Sequence, residues 1–132
     1  MKLNYTLEKY EFWVELMSTN FERKLQNETA FDGVVKIYSL TTNNYKLNSL
    51  LDRKLFGDFI YPSDKGIFLR IFKNKTSWPN TQLVHIDLDN YFLDEIIDTN
   101  SSWNLWTGNN LGFGRFEIFI SPTEKIEYTT YY

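Results

Sequence analysis

The chain contains no cysteine. That excludes a disulfide framework and any thiolate metal site, and it fits a reducing compartment. There is one histidine, His85. A serine–histidine–carboxylate catalytic set would have to use it as the base, yet no serine sits in a G-x-S-x-G turn. No segment combines glycines and a lysine as a phosphate loop requires, and Gly112-Phe113-Gly114 lacks dinucleotide-binding spacing. No run of about 18 apolar residues occurs, which argues against a membrane span. The first residues, MKLNYTLEKYEFWVELM, place Glu8, Glu11 and Glu15 inside their apolar region, unlike a secretory leader. These absences point to a cytoplasmic, cofactor-free chain.

Cations are missing from one region. Between Thr76 and Gly114 there is no Lys or Arg, while Asp87, Asp89, Asp94, Glu95 and Asp98 give that span a charge of −5. Residues 1–75 carry 12 basic and 9 acidic side chains. The whole chain is −3 with a pI near 5.1, which disfavours direct binding to nucleic acid.

Aromatics are abundant: 11 Phe, 9 Tyr and 4 Trp in 132 residues. The length implies a single domain over 1–132. That many rings exceed the needs of one small core, and aromatics concentrate in protein interfaces.

Periodicity suggests an α+β fold. Leu3, Leu7, Tyr10, Val14, Met17 and Phe21 recur at alternating spacings of 4 and 3, which predicts an N-terminal amphipathic helix over 4–26. The competing alternation of Tyr10, Phe12, Val14 and Leu16 fits a strand. Strands are expected over 31–40, 66–73, 82–89 and 111–120, with 103–106 opposite the last of these across a hairpin turn and 125–132 as a last edge strand or a tail, giving a mainly antiparallel sheet of about five. The segment 66–73 is apolar on both faces and reads as a central strand. Leu47, Leu50, Leu51 and Leu55 predict a short helix within 45–56. A second short helix is expected over 90–98, capped by Asn90, with Asp94, Glu95 and Asp98 on its wet side. Tyr61 to Asp64 and Thr107 to Asn110 read as turns. The expected core is Leu7, Val14, Met17, Phe21, Val35, Ile37, Leu69, Ile71, Val84, Ile86, Leu88, Ile97, Phe116 and Ile118.

His85, Asp87 and Asp89 alternate on one strand face and have ligand types suited to a divalent ion, with Glu117 or Asp94 as a further donor. They mark the alternative reading, a small metal- or ligand-binding enzyme domain. Phe113, Phe116 and Phe119 invite comparison with base-stacking sheets, though basic residues nearby are few.

A non-catalytic binding role explains more of the sequence. Acids without interleaved cations focus a negative field, and Trp103, Trp106 and Phe113 follow as aromatic anchors. Such a surface suits a basic partner, for instance a nuclease. The expected partner-binding residues are therefore Asp87, Asp89, Asp94, Glu95, Asp98, Trp103, Trp106 and Phe113. In overall profile (small, acidic, cysteine-free) the chain resembles immunity proteins of bacterial toxin systems. It is also similar to phage-encoded inhibitors of host defence nucleases. That resemblance implies an inhibitor of a nuclease toxin or defence effector; it matches no family motif and assigns no residue a role.

Overall fold

A computed structural model describes residues 10–29 and 35–130. Among them the chain is nearly all sheet, which overturns the expected α+β architecture. Strands β1 (Glu11–Leu16), β2 (Thr19–Thr29) and β3 (Val35–Thr42) precede one helix, α1 (Tyr45–Leu51). Strands β4 (Leu55–Pro62), β5 (Gly66–Phe72), β6 (Thr81–Asp87) and β7 (Phe92–Thr99) follow. β1 to β7 form a seven-stranded antiparallel meander in sequence order. Strands β8 (Thr107–Gly112), β9 (Arg115–Phe119) and β10 (Lys125–Thr129) make a second antiparallel sheet with β9 in the middle.

The expected N-terminal helix is a hairpin where it is described; residues 4–9 of it lie outside the described residues, as do Leu3 and Leu7. Met17 and Ser18 turn the chain with φ of 52° and 63°, the backbone of a tight hairpin turn that sequence usually advertises with Asn-Gly. With Met-Ser in that place the turn carries no compositional signal. Bulges do the rest. The register shifts at Trp13 in β1 and at Gln26 in β2, and each extra residue moves the alternation by one. A strand interrupted in this way presents apolar residues at mixed spacings that mimic a helical stripe.

The expected helix over 90–98 is strand β7, for the same reason. Leu83 pairs Ile97 and Val84 pairs Glu95, leaving Ile96 as the extra residue. Leu93, Ile96 and Ile97 thereby acquire helix-like spacing on a strand. Asn90 caps nothing; it belongs to the β6–β7 turn, which Tyr91 enters with φ of 55°. Among the other expectations, the helix within 45–56 is only α1, capped by Asn44 Oδ1 accepting from the amides of Lys46 and Leu47. Thr107 to Asn110 is strand, and the turn falls at Gly112 to Gly114. Residues 103–106 are not strand.

The seven-stranded sheet is covered on both faces around its centre. One face packs Phe56, Leu69, Ile71, Val84 and Ile86 against Leu47 and Leu51 of α1 and Phe21 of β2. The other packs Phe59, Phe68 and Leu83 against Phe116 and Ile118 of the small sheet. Every residue of β5 is buried, as expected of a central strand. The small sheet seats closely on β4, because a Cβ on Gly108 would stand 2.7 Å from the Tyr61 ring. Of the expected core, Met17 and Ile97 are exposed, Val14 and Leu88 are half-buried, and the other described positions are buried.

Candidate functional site

β6 organises the candidate site. Its alternation sends Val84 and Ile86 toward α1 and Leu83 and His85 toward the small sheet. His85 is buried between the rings of Phe68, at 4.8 Å, and Tyr128, at 5.0 Å. Its Nε2 lies 2.8 Å from Ser63 Oγ. That oxygen already accepts the amides of Lys65, at 3.1 Å, and Gly66, at 2.8 Å, so both lone pairs are used and only its proton remains to give. Ser63 therefore donates to Nε2, and His85 is neutral with its proton on Nδ1. Burial pushes the imidazole below its ordinary pKa; Asp87, Asp94 and Asp64 pull more weakly the other way.

The acids divide into committed and free. Asp87 is buried, and its Oδ1 accepts the amides of Asp89 and Asn90, closing the β6–β7 turn. Asp94, opposite His85, accepts the Tyr128 hydroxyl at 2.7 Å. Asp98 accepts from Gln82 and lies 3.5 Å from Lys73 Nζ. Asp89 and Glu95 are exposed. Lys73, remote in sequence, thus enters the region that looked free of cations. Nor are His85, Asp87 and Asp89 gathered as metal ligands: among the described residues no three His, Cys, Asp or Glu are placed to hold an ion.

The expected binding residues fall at two ends of the sheet. Leu88 N donates to Lys65 O, Thr130 Oγ1 donates to Asp64 Oδ1, and Thr130 N donates to Gly114 O. These bonds bring together the β4–β5 turn with Asp64, the β6–β7 turn with Asp89, and the β8–β9 tip with Phe113. Phe92, paired with Asp87, is exposed at that end too. Asp98, Trp103 and Trp106 lie toward the other end, where Thr99 pairs Thr81. Phe113 is 93% exposed on a left-handed backbone, φ 57°, between Gly112 and Gly114, which are also left-handed.

Trp106 is not a surface anchor. It is buried, with the Phe59 ring at 5.7 Å and the Arg70 guanidinium 3.9 Å above its own ring. Trp103 is partly exposed, its indole donates to Leu105 O, and its carbonyl accepts from Arg70. Sequence reasoning passed over Arg70, which is buried and donates to Thr81 Oγ1, Trp103 O and Ser101 O. Burial lowers its pKa to about 10. A single cation inside the apolar run GIFLRIF was the signal. The Ser63–His85 bond had none, since 22 residues separate the pair.

Neither family models nor curated proteins nor solved structures match this chain. No helix among the described residues is long and apolar enough to cross a membrane.

Proposed function

We propose that this chain is a non-catalytic inhibitor that binds a basic, nucleic-acid-handling protein, in the manner of an immunity protein neutralising a nuclease toxin. The observation that carries the reading is Phe113. A large apolar ring, almost wholly exposed, is held on a backbone that suits Gly or Asn. Conformational cost accepted at an exposed tip is a mark of function, and a ring so presented can fill a pocket of a partner. Asp64, Asp89 and Phe92 stand at the same end beside Lys65 and Arg115, so the anchor sits among mixed charges, and the acids of β7 supply the negative excess that would complement a cationic surface. Asp94 and Glu95 continue along β7, the edge of the seven-stranded sheet. Trp106 and Asp87 leave the proposed contact set, because both are buried.

The test is capture of a partner from the host with the tagged chain at low and high salt, then titration of the purified partner's nuclease activity. The reading requires a basic protein, bound one-to-one, whose activity falls to zero at equivalence. Weakening by added salt, mainly through the association rate, is the accompanying expectation. A captured protein that is acidic, or whose activity survives saturation, would overturn it.

A further inference from the structure

A second site lies on the α1 face of the large sheet, apart from the Phe113 end. Helix α1 ends at Leu51, and beyond its C-terminus lies a cleft of about 380 Å³ lined by Arg53, Lys54 and residues of β4 to β7. Its floor sets Ile71 of β5 and Leu93 of β7 on either side of Gln82 of β6, and Leu55 and Phe72, whose side chains pack on the opposite face, border it. Its rim carries three cations, Arg53, Lys54 and Lys73, against one carboxylate, Glu95. Part of Lys73's charge is answered by Asp98 at 3.5 Å. Arg53 extends into solvent, its side chain 92% exposed, with Asp52 no closer than 3.9 Å. The volume falls in the range of small-molecule sites, which pair apolar walls with a few placed polar groups.

An independent observation concerns Arg53. It follows the helix C-cap Asp52 with φ of 64°, the position and backbone at which helices ordinarily place glycine. Arginine there sacrifices backbone ease, and what it gains is a guanidinium at the mouth of the cleft. Arg and Lys recognise carboxylates, Arg in bidentate fashion.

We propose that this cleft binds an amphiphilic carboxylate, an anion whose aliphatic tail lies on Ile71 and Leu93 beside Gln82 while its head meets Arg53 and Lys54. The site is independent of the inhibitor reading and uses none of its residues except Glu95, which here opposes the ligand.

The experiment is a titration of the full chain with sodium octanoate, followed by amide chemical shifts, with 1-octanol as the uncharged control. Saturable shifts should centre on Arg53, Leu55, Ile71 and Leu93, and octanoate should bind roughly tenfold or more tightly than octanol. Arg53→Gly should weaken octanoate about fivefold or more while leaving the melting temperature equal or higher. Lys54→Glu should weaken it further, and Glu95→Gln should tighten it. Equal binding of octanoate and octanol, shifts centred elsewhere, unchanged affinity in Arg53→Gly, or no saturation by about 20 mM would each overturn the proposal.

Discussion

At His85 the hydrogen-bond directions follow one from another. Two amides occupy the Ser63 oxygen, Ser63 must donate, and the imidazole must accept at Nε2. Protonating His85 would turn that acceptor into a third donor to one oxygen, inside a cage of Phe68 and Tyr128. The unfolded chain, with an ordinary histidine pKa of 6.5, takes up a proton that the folded chain resists. The stability contributed here is therefore complete above pH 6.5 and is lost as the pH falls toward the depressed folded value. Denaturant melts at stepped pH should show wild type weakening on acidification from pH 6.5, with His85→Gln flat over the first part of that window. An equal slope in both would place the pH dependence elsewhere.

Arg70 is a buried cation that donates to two carbonyls and a hydroxyl and stacks on Trp106. Cutting it to methionine keeps much of the apolar stem but strands Ser101 O, Trp103 O and Thr81 Oγ1. A stranded buried group costs about 1–3 kcal/mol; Thr81 Oγ1 is buried and the two carbonyls are partly so, and Arg70→Met should lower unfolding free energy by about 2 kcal/mol or more in urea titration. A loss below about 1 kcal/mol would show that water replaces the guanidinium easily.

Elements were legible where their period was undisturbed. β5 and β6, with clean alternation and no bulge in their shared register, fall where alternation places strands, although β6 is buried on both faces and not half-buried. β1, β2 and β7 were not legible as strands, because Trp13, Gln26 and Ile96 are each an extra residue that converts a period of two into apparent helical spacing. The Met17-Ser18 turn compounded the error by using residues that seldom take left-handed φ. The strain there is relievable: Met17→Asn with Ser18→Gly should raise stability by about 1 kcal/mol, read as a higher denaturation midpoint at unchanged slope. A decrease would mean that the Met17 side chain contributes packing that outweighs the turn. The turn expected over Tyr61 to Asp64 falls two residues later: Tyr61 and Pro62 end β4, and Ser63 to Gly66 joins it to β5, closed by Ser63 N donating to Gly66 O at 2.8 Å.

For the molecule as a whole, the charge pattern was visible in sequence but its meaning in space was not. Acids that run together over 87–98 are dispersed by strand geometry. Asp94 faces the small sheet beside His85, Glu95 faces the α1 side, and Asp98 meets Lys73. The aromatic anchors sort likewise: Trp106 supports Arg70, whereas Phe113 stands free. No periodicity argument distinguishes these two, since exposure depends on how the small sheet seats on β4. What sequence did locate is a chain rich in rings beyond its core, and among the described residues Phe113 is where that surplus is most exposed.

The most direct test of the binding account is the affinity of Phe113→Asn for the captured partner, measured by calorimetry beside its melting temperature. Asn accepts a left-handed backbone readily, so the fold should be as stable as wild type or slightly more so. Loss of an anchor ring costs about 2 kcal/mol or more, so affinity should fall roughly thirtyfold or more. Unchanged affinity in a variant with an unchanged fold would contradict the account, because the exposed ring would then have no part in binding.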